Sequence, residues 1–210
     1  MAEQAAISGA LVLVSLGGDG MGSKIKGSAI TARLRFVREL YGEPGVRAVK
    51  QALSAEHRAV IEGRVLPHDW VDFDVFIALS VEIDRLYGKG DLALCREMGR
   101  FAAKANLPTL YRIFYALGSP AFIIGRAVRV WDVHYDSGRI TAEVQKTGST
   151  ERATLTLRNF ATPHRAHCLS VLGWAERSIE LSGGKLIEAE ETTCRTRGDD
   201  ACRFVIVWGG

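Results

Sequence analysis

The sequence has no long hydrophobic run, few prolines, which stiffen a chain, and few cysteines, which can cross-link it. Only four cysteines and five prolines occur in 210 residues, which excludes a disulfide-stapled miniprotein, and a chain of this length buries enough surface to fold on its own core. The most apolar early run, residues 7–16, is about half of the roughly 20 residues that a membrane span needs. No basic segment precedes it, as one would in a signal peptide. We therefore expect a cytoplasmic protein with no membrane span.

The charges do not gather in any block. The chain has 27 basic and 24 acidic residues, a formal net charge of +3, and the two signs are mixed along its length. Nucleic-acid-binding proteins concentrate their positive charge in a stripe or tail, so no nucleic-acid partner is expected.

Motifs for nucleotide binding or catalysis are incomplete. Gly17 and Gly22 have the spacing of a phosphate-binding loop, but the next two residues, Ser23 and Lys24, stand in the wrong order. A flexible linker is the better interpretation of this glycine-rich segment. His164 and Cys168 lie four apart on a predicted helix, but that pair lacks the orienting third group of an activated cysteine. We predict that the protein is not an enzyme.

Apolar residues recur at helical spacing through the first two thirds of the chain. Residues 1–26 are interpreted as an apolar strand or short helix followed by the linker. Residues 27–130 then form a helical subdomain, in which Gly42 ends the first helix and Ser54 caps a later one. Asp69 is predicted to cap the helix that contains Phe73 and Phe76.

The last third, residues 131–210, has a different periodicity. Residues 139–146 and 153–158 alternate apolar and polar side chains around a Thr-Gly-Ser-Thr turn, which indicates a β-hairpin. An amphipathic helix follows from residue 163 to residue 181, and then come two more strands, at residues 185–196 and 202–208. The predicted fold class is α/β, with an N-terminal helical subdomain packed on a ββαββ antiparallel-sheet module.

Three of the four cysteines fall in this module, together with a glutamate. Cys168 lies on the crossover helix, Glu191 and Cys194 lie near the end of the third strand, and Cys202 opens the fourth. Three thiolates and a carboxylate would complete the tetrahedral coordination of a structural zinc site. Residues three apart on a regular strand face opposite ways, so Glu191 and Cys194 would need a β-bulge to reach one ion. Ordinary buried core cysteines are the alternative.

The same stretch resembles the 4-vinyl reductase domain family. The resemblance lies in Gly173-Trp174, in Glu180 to Gly184, in Glu191 to Cys194 and in Gly198 to Phe204, and it covers about residues 120–210. It implies a small α/β module related in fold to haem nitric-oxide-binding domains and to the vesicle-tethering TRAPP subunits. It also implies a structural zinc held by Cys168, Glu191, Cys194 and Cys202 beside a ligand pocket.

The resemblance implies a function as well. We expect a stand-alone regulatory module that senses a small apolar or aromatic ligand and signals through a partner protein or a homodimer. Non-catalytic assembly on a TRAPP-like scaffold is the alternative, and an accessory role in tetrapyrrole reduction is a distant third. Haem is not expected, because Cys95 and Met98 stand where a haem domain would carry its histidine.

Aromatic residues cluster in the sequence where the two parts of the chain join. They could line a small apolar ligand pocket, or they could be ordinary core side chains. The candidate pocket residues are Phe114, Tyr115, Phe122, Trp131 and Tyr135.

Overall fold

The computed structural model describes residues 22–105 and 119–210. The predictions for residues 1–21 therefore lie outside the described residues. In chain order the elements are β1 (Lys24–Lys26), α1 (Gly27–Ala52), α2 (Ala55–Glu62), β2 (Trp70–Asp72), α3 (Phe73–Tyr87), α4 (Leu94–Ala105), α5 (Pro120–Gly125), α6 (Ala127–His134), β3 (Arg139–Thr147), β4 (Thr150–Arg158), α7 (Arg165–Leu181), β5 (Lys185–Thr193) and β6 (Cys202–Gly209).

The helical half begins with a long helix that contains a break. Gly42 has a φ of 67°, which only glycine adopts easily, so α1 turns there. Ser54 caps α2 by accepting a hydrogen bond from the His57 amide, as predicted. Asp69 does not cap α3, because the short strand β2 intervenes and the Asp69 carboxylate accepts instead from the Leu66 amide. The strands β1 and β2 pair antiparallel and join the start of this half to α3.

The second half is the predicted ββαββ module. Its four strands form an antiparallel sheet in the order β3-β4-β6-β5, and α7 crosses one face. The α/β fold class and its two-part architecture are therefore confirmed. The sheet contributes buried side chains to the core, among them Ile140, Leu155 and Phe204, one from each of three strands. The β3–β4 hairpin keeps one register through all nine residue pairs.

The two halves meet along α4 and α7, which pack very closely. A methyl group added at Gly99 would lie 2.1 Å from the Ser170 carbonyl oxygen, and one added at Gly173 would lie 2.0 Å from that of Arg96. Only glycine permits backbones to approach this far. The apolar interior runs without interruption from the helical half into the sheet.

Charged residues extend the same contact. The Glu176 carboxylate, only 3% exposed, contacts Arg96 and lies 3.0 Å from an Arg100 Nη atom. Arg100 also pairs with Glu180 at 2.8 Å.

Within the described residues, no helix is long and apolar enough to cross a membrane.

Candidate functional site

The four predicted metal ligands come together at one end of the sheet. Cys168 lies in the first turn of α7, Glu191 lies near the end of β5, Cys194 follows β5 directly, and Cys202 opens β6. Their ligand atoms all lie within 4.8 Å of one another. The register of β5 against β6 shifts between Glu191 and Thr193, which is the irregularity that these side chains need to face one point.

The sulfur spacing is compatible with a metal-binding set. The Cys168 sulfur lies 3.8 Å from that of Cys194 and 3.8 Å from that of Cys202. A disulfide would require about 2.05 Å, whereas tetrahedral metal–sulfur bonds of about 2.3 Å would place two sulfurs about 3.8 Å apart. All four cysteines of the chain are free and buried.

The glutamate is the least satisfied member of this cluster. Its side chain is only 2% exposed. Neither carboxylate oxygen has a hydrogen-bond partner in the described structure, and Arg165 contacts Oε2 as an ion pair. A buried carboxylate beside three sulfurs is costly unless a cation balances it. Arg165 supplies one such cation, and a metal ion held by the sulfurs would be a second partner for the carboxylate.

The thiols of Cys168 and Cys202 have different pKa values. The contact between Cys168 and Cys202 lowers the pKa of Cys202 to about 6, against the opposing effect of burial, and raises the pKa of Cys168 above its usual range. The backbone amide of Arg195 also donates toward the Cys202 sulfur at 3.4 Å. The geometry thus favours at least one thiolate, the form that binds metal.

The predicted aromatic pocket is only partly assembled. Trp131 and Tyr135 come together, with ring centroids 4.0 Å apart and nearly parallel planes. Phe122 does not join them: it is 42% exposed, and its ring is covered by Arg126. Phe114 and Tyr115 lie outside the described residues.

Around Trp131 and Tyr135 the structure adds residues that the sequence pattern did not identify. The rings of this aromatic cluster lie between the helical half and the start of α7, and His167 is its polar member. The cluster comprises Phe73, Phe76, Trp131, Tyr135, Phe160 and His167.

His167 is 1% exposed, and only one of its two ring nitrogens has a hydrogen-bond partner in the described structure. Its Nε2 lies 2.9 Å from the Tyr135 hydroxyl, while its Nδ1 has no partner in the described structure. Burial lowers the pKa of His167 to about 3 and raises the pKa of Tyr135, so both side chains are neutral. A neutral imidazole with one free nitrogen can accept or donate one further hydrogen bond.

Arg33 is a second buried polar residue beside this cluster. Its guanidinium donates to the Ser80 hydroxyl, the Met98 carbonyl and the Ser170 hydroxyl at 2.7–3.2 Å. It also lies 4.8 Å from the Phe76 ring centroid. These acceptors are neutral, and burial lowers the pKa of Arg33 to about 10. One cation thereby joins α1, α3, α4 and α7. The signal in the sequence is weak, since an arginine within an apolar helical pattern is usually exposed.

Comparisons with solved structures identify the fold of this chain. No family model matches the chain, and no curated protein matches it. Solved structures do. An H-NOX protein from S. oneidensis in its Fe(II)NO state has a TM-score of 0.65 at 12% identity, covering 89% of this chain and 100% of that one. An oxygen-binding H-NOX domain related to soluble guanylate cyclases has a TM-score of 0.60 at 16% identity, covering 88% and 94%. A structure concerned with haem distortion in the H-NOX family has a TM-score of 0.61 at 16% identity, covering 88% and 94%.

These comparisons correct two expectations. The fold is that of H-NOX domains, so the assignment to the 4-vinyl reductase domain family is wrong; the two parts of the chain together match the neighbours, whereas the resemblance covered the second part alone. The cofactor prediction, structural zinc without haem, is contradicted too, because the neighbours are haem proteins.

The described residues, as they are arranged here, do not fit a haem. A histidine that serves as an axial ligand needs a ring nitrogen that faces open space. His167, the most buried histidine, has one nitrogen against Tyr135 and its ring stacked on Phe160 at 5.2 Å between centroids. His164 caps α7 through its Nδ1, and His134 bonds the Val130 carbonyl. Each of these three histidines therefore uses one ring nitrogen in a contact within the protein, and the second nitrogen of His167, Nδ1, is buried among packed rings.

Proposed function

We propose that this chain, which has the H-NOX fold, is a sensor of a small aromatic molecule that passes its state to a partner protein. One observation carries the proposal: the unpaired Nδ1 of the buried His167 within a cluster of aromatic rings. Ligand sites combine apolar walls with a few polar groups that fix orientation. His167, Tyr135 and the rings around them have that composition.

The position of the cluster connects binding to a change of shape. Trp131 and Tyr135 lie on or just after α6, whereas Phe73 and Phe76 belong to α3 and His167 belongs to α7. A ligand that enters among these rings must move at least one of the three helices. A ligand shifts an equilibrium by its different affinity for two arrangements, so the packing of α6 on the rest of the molecule is the state that we propose is sensed.

The polar groups suggest the chemical class of the ligand. Both His167 and Tyr135 are neutral, and the rest of the cluster is aromatic. An uncharged aromatic molecule with one hydroxyl would stack on the rings and hydrogen-bond to His167. A cationic ligand would lose its hydration with no counter-charge in the cluster, and the Arg33 guanidinium beside it would repel such a ligand.

We also propose that Cys168, Glu191, Cys194 and Cys202 hold one thiophilic metal ion. Four protein ligands fill a tetrahedral coordination sphere, which leaves no open position for a reacting water. The ion would fasten the start of α7 to the β5–β6 end of the sheet. Its role would be to hold this end of the module rigid beside the aromatic cluster.

The proposed role is binding rather than catalysis. The four free cysteines suit a reducing compartment, which supports a cytoplasmic location. A homodimer is the simplest partner arrangement, and the assembly-scaffold alternative gains no support from neighbours that are H-NOX domains.

A thermal-shift experiment with matched probes tests this function. Phenol and toluene differ by one hydroxyl, so both should stabilise the chain and phenol should stabilise it more. At 100 times the Kd the gain is about 2.7 kcal/mol, or roughly 5–10 °C in Tm for a chain of this size. The His167→Phe variant should bring the phenol shift toward the toluene shift, because it removes the ring nitrogen that would hydrogen-bond to the phenol hydroxyl.

Two outcomes would change the assignment. If neither probe raises Tm at any concentration, the aromatic cluster is ordinary core and the sensing proposal fails. A parallel titration with ferric haem, followed by absorbance, tests the ligand suggested by the structural neighbours. Saturation at one haem per chain would assign haem in place of the aromatic molecule.

A further inference from the structure

We propose that Arg33 makes the aromatic site selective for a ligand that ionises: the ligand hydroxyl gives up its proton on binding, and the oxygen anion pairs with the Arg33 guanidinium. The inference rests on the proposed function, because the ligand is the aromatic hydroxyl compound described above. It narrows that class to compounds with an acidic hydroxyl, which enter uncharged and are held as anions.

Arg33 is a buried cation to which the described residues offer no counter-charge. It is 2% exposed, and its hydrogen bonds reach two serine hydroxyls and one backbone carbonyl, all of them neutral. Within the part of the chain that the structure describes, it forms no ion pair. A buried charge without an opposite charge is costly, so an anion beside the guanidinium would stabilise this arrangement.

The guanidinium also keeps hydrogen-bond donors that are not used. Its Nε donates to Ser80, its Nη1 donates to the Met98 carbonyl, and its Nη2 donates to Ser170. A guanidinium carries five N–H groups, two of them on each Nη atom. One N–H on each Nη atom therefore has no partner in the described structure. Charge-assisted bonds from such donors to an anionic oxygen are about twice as strong as bonds between neutral groups.

Two other titratable groups lie on the helices that pack near Arg33, and neither supplies the missing charge. Burial raises the pKa of Cys95 to about 11, so its thiol is neutral. Asp84 is buried, but its two carboxylate oxygens accept hydrogen bonds from the amides of Leu92 and Leu94 at 2.9 Å and 3.0 Å. The counter-charge is therefore left for a bound molecule to bring.

The Phe76 ring connects Arg33 to the aromatic cluster. The central guanidinium carbon of Arg33 lies 4.8 Å from the centroid of this ring, and the His167 ring meets the same ring edge-on at 6.2 Å between centroids. The charge also acts on the cluster. Burial is the main cause of the lowered pKa of His167 and of the raised pKa of Tyr135, and the Arg33 charge lowers both values. A ligand among these rings lies within the field of the same cation.

His167 adds a second donor for an anion. The Tyr135 hydroxyl has one hydrogen-bond partner in the described structure, the Nε2 of His167. A buried hydroxyl needs an acceptor for its hydrogen, so Tyr135 donates to Nε2 and the hydrogen of the imidazole lies on the free Nδ1. Arg33 and His167 therefore both present donors. Neither offers an acceptor for the hydrogen of an un-ionised hydroxyl, whereas an oxygen anion accepts from both.

The binding step is an acid dissociation of the ligand. Its O–H bond breaks, the electron pair stays on the oxygen, and the proton passes to bulk water. The apolar rings oppose this step, because desolvation favours the neutral form, and the opposite charge of Arg33 favours it. The anion prevails most readily for a hydroxyl whose pKa in solution is already near neutral. Acidic phenols are therefore the class that the site selects.

4-Nitrophenol tests the inference, because its anion absorbs visible light and its neutral form does not. At one pH unit below its solution pKa, about one tenth of the free compound is ionised. Titration with the full wild-type chain should raise the visible absorbance until at least about half of the bound compound is the anion, a change of about tenfold in the ratio of anion to neutral form. Equilibrium dialysis measures the binding itself.

Two variants assign the effect to Arg33. Arg33→Met should bind the compound in its neutral form, so that visible absorbance falls on binding. Arg35→Met is the matched control, because Arg35 lies on the same helix but pairs with Glu39 at the surface, and it should keep the wild-type spectrum. Proton release in weakly buffered solution, close to one proton for each neutral molecule that the wild type binds, tests ionisation even if Arg33→Met does not fold.

The outcomes separate this inference from the proposed function. If dialysis shows that the wild type retains the compound but the bound compound is neutral, the ionisation is overturned and the sensing function stands. An equal bound fraction of anion in the wild type and in folded Arg33→Met also overturns the role of Arg33. If the wild type retains no compound at all, the result contradicts the proposed function itself.

Discussion

At the scale of single residues, the sulfur–carboxylate cluster brings one buried carboxylate and three sulfurs together beside two arginines. Arg165 contacts Glu191, and a guanidinium nitrogen of Arg197 lies 3.8 Å from the same oxygen. If a metal ion displaced the protons of all three thiols, the four negative charges of the cluster would be balanced by one divalent ion together with these two arginines. Metal affinity then becomes folding free energy, because the unfolded chain has no preformed site.

The cysteines of this cluster should therefore differ from Cys95. Cys194→Ser and Cys202→Ser should each lose the bound metal and lower the free energy of unfolding by several kcal/mol. Cys95→Ser is the matched control, since Cys95 is equally buried but lies on α4 in the helical half. Elemental analysis of untagged protein and urea unfolding measure the two effects. If all three variants keep or lose metal alike, the cluster is not a metal site.

The sequence predicted these four residues better than it predicted the aromatic cluster. Cysteine spacing is visible in one dimension, and the need for a bulge follows from strand geometry. His167 and Arg33 were missed because each is a single polar residue in an apolar helical pattern, which looks the same as a surface position. Their importance comes from contacts with Tyr135, Ser80 and Ser170, which are distant in sequence.

At the scale of elements, the α4–α7 contact holds the two halves together. Gly99 and Gly173 permit the backbones to touch, since a methyl group added at either position would lie only 2.1 Å or 2.0 Å from a carbonyl oxygen of the facing helix. A side chain at either position must push the helices apart, and overpacking of this kind commonly costs about 1–3 kcal/mol or more.

Alanine substitutions test this contact. Gly99→Ala and Gly173→Ala should each lower the free energy of unfolding by at least about 2 kcal/mol. Gly125→Ala should change it little, because nothing lies within 4 Å of the added carbon. Urea unfolding gives the comparison. Three equal and small effects would mean that α4 and α7 do not pack as closely as described.

The ion pairs of the same contact give stability a dependence on pH. Burial alone would raise the pKa of Glu180, but hydrogen bonds from Arg177 and Arg100 outweigh it and lower the pKa below its ordinary value of 4.5. Below that ordinary value the unfolded chain takes up a proton before the folded chain does. The contribution of Glu180 to the free energy of unfolding is therefore present above about pH 4.5, and it is lost as the pH drops through the folded pKa.

The variant Glu180→Gln should reduce this loss of stability at low pH. Its free energy of unfolding should fall less between about pH 5 and pH 3 than that of the wild type, measured by urea titration at each pH. Glu39→Gln is the control, because Glu39 pairs with Arg35 on the exposed surface of α1. If the two variants have the same pH profile, the α4–α7 ion pairs do not govern acid stability.

Most elements followed from sequence periodicity, and the exceptions have physical reasons. The alternation of residues 139–146 and 153–158 predicted the hairpin, and Gly42 marked the break in α1. β1 and β2 were missed because three-residue strands are too short to show a period. Their pairing depends on chain segments more than 40 residues apart, and it displaced Asp69 from its predicted capping role.

At the scale of the whole molecule, one apolar core joins helices and sheet. The sequence predicted the two parts and their order, but not that the aromatic cluster would lie where they meet. From that position we infer that a small aromatic molecule bound among these rings alters how α6 packs on α3 and α7. Trp131 is the natural reporter, because it stacks on Tyr135 inside the cluster.

The most direct measurement is a phenol titration of the full chain followed by tryptophan fluorescence, repeated with the Trp131→Phe variant. Trp70 remains in that variant as an exposed tryptophan that reports non-specific quenching. We predict a saturable change in emission for the wild type and loss of the saturable part in the variant. A linear change of equal size in both proteins would contradict ligand binding in the cluster, because phenol would then be quenching surface tryptophan alone.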